Sequence, residues 1–227
     1  YIHQFYHAGN YLDRKEAVDF CGRKTDDPKA LSLLKDALND PYHGIRSLAM
    51  SKIDMKKDRI RKTFEETIAL LVNKESNRPV KASMIEGLGK TADAKYASLY
   101  EKNINDSSYS VAGAALEALS KTDSVLALKY AMELAKKPAK GKLDMAINAI
   151  LVASGKEEVF DKLADKFSEM GLTNEKFTLM QQIGEMTGSM KSNDRIKKSI
   201  DMIIAFRDEI PAQVEEQTNP YINGMIL

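Results

Sequence analysis

Three histidines and a single cysteine are the residues of this 227-residue chain with the most direct chemistry. His3-Gln4-Phe5-Tyr6-His7 has the two-histidine spacing of the H-E-x-x-H zinc motif, in which both rings share a helical face and a glutamate beside the first activates water. Gln4 stands where that glutamate belongs and is no base. The run of Ile2, Phe5 and Tyr6 reads instead as an extended segment. His43 is the only further histidine, so no metal ligands are assigned. Cys21 falls on an apolar helix face without a paired histidine, which describes a buried, inert thiol. Gly87-Leu88-Gly89 and Gly184 to Gly188 neither follow a strand nor precede the Lys-Ser/Thr pair of a phosphate loop, and they read as helix-closing glycines. No catalytic residue is assigned.

The balance of charge narrows the function classes further. Against 34 Lys+Arg stand 33 Asp+Glu, a net charge of +1, whereas a nucleic-acid footprint needs a clear excess of positive charge on one face. Two basic runs, Lys56 to Lys62 and Lys136 to Lys142, are local and read as solvated turns. No stretch approaches the roughly 18–20 uncharged apolar residues of a membrane helix. One cysteine forbids an internal disulfide framework and leaves the compartment unassigned. Only 12 Gly and 6 Pro in 227 residues, with no Trp and 11 Met, favour helix over sheet. The methionines recur at helical positions and read as core filler. The chain starts at Tyr1 rather than Met and stops in the apolar Met225-Ile226-Leu227, and the expectation is of a piece excised from a longer protein.

The elements that would carry these residues form a repeat. Leu143, Ala146, Ile147, Ile150 and Leu151 make the i, i+3, i+4, i+7, i+8 stripe of an amphipathic helix. The stripe recurs upstream at Val111, Ala114, Ala115, Ala118 and Leu119, then at Val80, Met84, Gly87 and Leu88, and then at Ile45, Leu48, Ala49 and Ile53. A degenerate copy runs through Phe177, Met180 and Ile183, and a partial one through Asp13 to Cys21. Between them lies a second amphipathic set, including Leu31, Leu34 and Leu38; Ile60, Phe64 and Ile68; Tyr96, Leu99 and Tyr100; and Val159, Leu163 and Phe167. Each unit is a helix pair. One such pair cannot bury its apolar face alone, so pairs at a period of about 32 residues predict an all-α fold, an α-solenoid of HEAT or armadillo type with five or six pairs.

Asp40-Pro41-Tyr42-His43-Gly44-Ile45-Arg46-Ser47-Leu48-Ala49 resembles the HEAT signature, and the resemblance implies that Asp40 and Arg46 belong to a structural Asp-Arg ladder. The opening, Tyr1 to Ala8 followed by Tyr11-Leu12-Asp13-Arg14-Lys15-Glu16-Ala17, resembles the junction at which bacterial zinc aminopeptidases of the aminopeptidase N (gluzincin) family pass from a β domain into a C-terminal HEAT-like domain. The resemblance implies an extended interdomain segment over 1–12, a HEAT-like solenoid over 13–208 and a truncated helical segment over 209–227. It further implies a non-catalytic accessory domain that walls off and gates a peptide cavity. Its partners would be the catalytic and β domains of the parent chain and the parent's peptide substrate, with zinc in the parent and no cofactor in this chain. The alternative reading is a free-standing HEAT-like scaffold that binds a protein on its concave face. There the second helices would present Lys81, Glu86, Glu117, Asp144 and Asn148.

Overall fold

The computed structural model describes residues 1–226, apart from the side chains of Val214, Gln217, Met225 and Ile226. Leu227, the last residue of the expected C-terminal segment, lies outside the described residues. The description contains fourteen α-helices and no strand, and the helices follow one another as pairs. The pairs are α1 (Ile2–His7) with α2 (Tyr11–Gly22), α3 (Pro28–Ala37) with α4 (His43–Lys52), and α5 (Asp58–Val72) with α6 (Arg78–Gly89). Next come α7 (Ala97–Asn103), entered through a 3-10 turn at Ala94–Tyr96, with α8 (Tyr109–Thr122), and α9 (Ser124–Leu134) with α10 (Gly141–Ala153). The last are α11 (Glu157–Glu169) with α12 (Asn174–Thr187), and α13 (Asn193–Asp208) with α14 (Ala212–Ile226). The fold is the expected all-α, HEAT-like arrangement, with seven pairs where five or six were expected.

The additional pair comes from the segment 1–12, which is helical where an extended strand was expected. Its aromatic residues make the difference. Phe5 is buried, Tyr1 stacks on Phe20 with ring centroids 4.0 Å apart, and Gln4 Nε2 donates to the Asp13 carbonyl and the Glu16 carboxylate at 3.1 and 2.8 Å. Asn10 then caps α2 by accepting from the backbone N–H groups of Leu12 and Asp13. An i, i+3 apolar spacing too short to register as a helix by itself is stabilised by docking on its neighbour.

Packing divides the chain into two compact units, Tyr1–Tyr130 with Lys137–Ala146, and Ala131–Lys136 with the residues from Ile147 onward. In the first unit the second helices stack as α2, α4, α6, α8, and the first helices as α1, α3, α5. The apolar stripes are the stacking surfaces: Ile45 and Ala49, then Val80, Met84 and Leu88, then Val111, Ala114, Ala115, Ala118 and Leu119 are all buried. Small residues bring the later layers close. A Cβ placed on Gly89 would meet the Ala118 methyl at 2.7 Å, and one on Gly113 would meet the backbone of Lys142 and Leu143 at 2.5–2.7 Å.

Turns from a second helix to the next first helix share one device. Asp27, Asp54 and Asp93 each accept the backbone N–H two residues on, from Lys29, Lys56 and Lys95, at 2.8, 3.1 and 3.0 Å. This side-chain turn satisfies an otherwise orphaned donor at the start of the helix. In the second unit, Val159, Phe160, Leu163 and Phe167 of α11 pack with Leu179, Met180 and Ile183 of α12 and Phe206 of α13 in one core. Thr173 and Ser192 cap α12 and α13.

Candidate interaction surface

The side chains with defined polar geometry fall into two sets. The first links successive repeats. Asp40, Glu75 and Asp106 each stand three residues before the helix that opens α4, α6 or α8. Each accepts the backbone N–H two residues on, from Tyr42, Asn77 and Ser108, at 2.9, 2.8 and 2.9 Å. Each also receives a cation from the preceding second helix. Arg14 of α2 forks onto Asp40 at 2.7 and 3.1 Å, and Arg46 of α4 forks onto Glu75 at 2.6 and 2.7 Å. Arg78 and Lys81 of α6 share Asp106, the latter at 3.4 Å. Arg14, Arg46 and Lys81 are each the fourth residue of their helix.

Asp40 and Arg46 therefore belong to a ladder, but their side chains do not pair with each other. Arg46 donates to the Asp40 and Pro41 carbonyls at 2.8 and 3.1 Å and gives its carboxylate bonds to the next repeat. These pairs are well buried, with Asp40 and Glu75 side chains 3% and 4% exposed. Burial works to raise the Glu75 pKa, but the bonds from Arg46 and from the Asn77 N–H outweigh it and hold the carboxyl below its ordinary value. The Glu75 hydrogen bond in turn raises Arg46, and the Asp40 hydrogen bond raises Arg14. At the corresponding positions of the next step, α8 offers Ala112 as its fourth residue and the turn before α10 offers Pro138. There the charged link is replaced by the contact of Gly113 with the start of α10, and the Tyr109 hydroxyl lies 3.5 Å from the Pro138 carbonyl oxygen. In the second unit Lys176 of α12 reaches Glu209, again three residues before a helix, at 2.7 Å. The Lys176 ammonium also lies 5.0 and 5.6 Å from the ring centroids of Phe167 and Phe206.

The second set lies on the solvent-exposed side of the second helices. Lys142, in the first turn of α10, places Nζ 2.9 Å from Glu86 of α6 and 3.2 Å from Glu117 of α8. Glu117 also takes Lys121 at 2.8 Å. Burial opposes the charged form of Glu117, but the hydrogen bond from Lys121 and the charge of Lys142 prevail and its pKa is lowered. For Lys142 burial is likewise the largest influence and lowers the pKa, yet Glu86 and Glu117 outweigh it and the ammonium is held protonated.

Of the residues expected on this face, Glu86 and Glu117 come together around Lys142, while Lys81 is drawn into the ladder. Asp144 is half-buried in the first turn of α10. Asn148 is buried in the second unit and accepts from Lys166 Nζ at 3.0 Å. Sequence reasoning missed the roles of Arg14, Glu75 and Lys142. A signal for the ladder was present in the six-residue interval from acid to cation at Asp40/Arg46 and again at Glu75/Lys81. Elsewhere, the His3 and His7 rings lie against each other on α1, tilted by 30° with centroids 4.2 Å apart. Cys21 is buried, and that burial raises its thiol pKa. Among the described residues no group of three or more His, Cys, Asp or Glu is placed to hold a metal ion, and no helix is long and apolar enough to cross a membrane.

No family model matches the chain, and no curated protein matches it. A solved structure of human deoxyhypusine hydroxylase in complex with glycerol aligns with 96% of this chain and 91% of its own, at 12% identity and a TM-score of 0.43. A likeness of that size carries no functional assignment. The expected membership of the aminopeptidase N family is corrected by these findings: no family model and no curated protein of that family matches, and the aligned structure is that of another protein. The residues behind the resemblance also have local employment, with residues 2–7 forming a helix, Asp13 receiving Asn10, and Arg14 holding Asp40. The accessory-domain reading rested on that resemblance and on the lack of assigned catalytic residues, and its zinc on the resemblance.

Proposed function

We propose that this chain is a HEAT-like scaffold that captures a protein partner on the solvent-exposed side of the second helices of its first unit. The observation that supports this reading most is the Lys142 bridge, which ties Glu86, Glu117 and Lys142 from three helices into one half-exposed charged patch. Side chains already held in place lose less rotamer freedom on binding, so such a patch is a low-cost docking surface. Stacked repeats commonly present their partner sites on a continuous face of this kind.

The test compares affinity capture from lysate of the source cells by the wild type and by the double variant Glu86→Lys/Glu117→Lys. A photo-crosslinker at Ser83 of α6 reports whether a captured protein sits on this face. The expected result is one protein crosslinked at Ser83 and lost from the double variant, with far-UV circular dichroism unchanged. Equal capture by both proteins would overturn the proposal.

A further inference from the structure

The ladder has a consequence on the edge of the first unit where each first helix turns into its second. Because Arg14, Arg46 and the Arg78/Lys81 pair each reach the next turn, these turns stand side by side along one edge. The carboxylates of the turns, Asp40, Glu75 and Asp106, are each matched by a cation of the ladder, while Asp36 and Glu101 on the flanking first helices keep their charge and accept the Tyr6 and Tyr130 hydroxyls at 2.5 and 2.6 Å. The lysines of the same turns are not consumed. Lys74, Lys102, Lys137 and Lys140 have no carboxylate partner among the described residues, Lys102 making only a 3.5 Å contact with Asn73. Four lysines without a carboxylate partner, beside ladder acids that are each matched by a cation, outnumber Asp36 and Glu101 and give this edge a local positive potential on a chain whose net charge is only +1.

The same edge exposes tyrosine at the start of second helices. Tyr11 opens α2, Tyr42 precedes α4 and Tyr109 opens α8, each 40–46% exposed, and Tyr11 and Tyr42 lie with ring centroids 4.8 Å apart. Tyrosine offers a large rigid contact area and a hydroxyl donor at small entropic cost, which is why it recurs at binding hot spots. We propose that this tyrosine-and-lysine edge is a second docking site, for an extended acidic peptide segment of a partner. Its lysines would meet glutamate or aspartate side chains and its tyrosine rings the aliphatic stems of the peptide. The turns are fixed before the peptide arrives, so little ordering is needed on the protein side.

The site goes beyond the scaffold face and is tested separately, by fluorescence anisotropy of the full chain with a fluorescein-labelled deca-glutamate peptide. The wild type is expected to bind in a salt-sensitive manner, and Lys74→Glu/Lys140→Glu and Tyr42→Ala/Tyr109→Ala are each expected to weaken binding at least about tenfold. The opposite-edge control Lys56→Glu/Lys57→Glu and the scaffold-face variant Glu86→Lys/Glu117→Lys are expected to bind like the wild type. Absent binding, or equal loss in the opposite-edge control, overturns the proposal. So does tyrosine-independent binding of a labelled oligouridylate of the same charge, which would mark indiscriminate anion attraction. Any of these outcomes leaves the crosslinking result at Ser83 untouched, so the two readings fail independently.

Discussion

Replacing Gly113 by alanine pits two effects of opposite sign against each other, and the structure says which wins. In a helix interior such as α8, alanine is favoured over glycine by about 1 kcal/mol. At Gly113, however, the new Cβ would lie 2.5 Å from the Lys142 carbonyl carbon, 2.6 Å from the Leu143 nitrogen and 2.7 Å from the Lys142 oxygen, where ordinary contact begins near 3.4 Å. The obstacle is backbone at the start of a helix, so α10 must shift by roughly 1 Å or α8 must tilt, and overpacking of this kind costs about 1–3 kcal/mol at moderate strain and more at severe strain. The net expectation is a loss of about 1–2 kcal/mol. For a chain of this size each kcal/mol moves the melting temperature by about 2–4 °C, so far-UV circular dichroism should show a fall of about 2–8 °C. Two controls fix the interpretation. Gly188→Ala, at a helix cap with φ −62° and its nearest neighbour 3.8 Å away, should be neutral or slightly stabilising. Placing Gly113→Ala on a Lys142→Ala background should not restore stability, because the clash is with the main chain rather than the lysine side chain. A Gly113→Ala protein as stable as the wild type, or more so, would refute the close approach of α8 and α10.

The ladder predicts a pH dependence. Glu75 is held below its ordinary pKa of 4.5 in the folded state, so its contribution is fully present above that value and is lost as the pH falls through the lower folded value. Glu75→Gln should therefore cost about 2 kcal/mol at pH 7, as expected for the loss of charge-assisted bonds to a part-buried guanidinium. The difference in urea midpoint between variant and wild type should narrow between pH 5 and pH 3; a constant difference would count against the pair. Tyr6, whose pKa is pushed up to about 12 chiefly by its hydrogen bond to Asp36, should ionise well above the ordinary value of 10 in an ultraviolet titration. Asp36→Asn should return it towards the ordinary value of 10, and an unchanged curve would remove the bond.

The repeat was legible because its signal is periodic and apolar. Residues 45, 80, 111 and 143 recur at nearly constant spacing, and all four are buried on stacked second helices. Helix α1 was not legible, since six residues with one buried side chain carry too little periodicity to outweigh their aromatic character. The ladder was half legible. Asp40 and Arg46 were recognised as a pair by their nearness in sequence, yet each bonds to the neighbouring repeat, to Arg14 26 residues earlier and to Glu75 29 residues later. Such distances appear only once repeats are aligned on one another. Of the surface residues, Glu86 and Glu117 could be assigned to one face by helical phase, whereas Lys142 enters that face from the first turn of α10, a placement that depends on how closely Gly113 lets the helices approach.

Because acceptor and donor occupy the same places in successive repeats, three residues before a second helix and four residues into it, the joints are interchangeable. Excision of residues 58–89 would present Arg46 with the Asp106 turn instead of the Glu75 turn, a carboxylate in the same local geometry. A duplicated pair inserted at that point would find both of its links waiting. Up to α8, then, the charged links would carry over when whole repeats are added or removed, whereas the close approaches of Gly89 to Ala118 and of Gly113 to the start of α10 are fitted to their present neighbours and would have to be made anew.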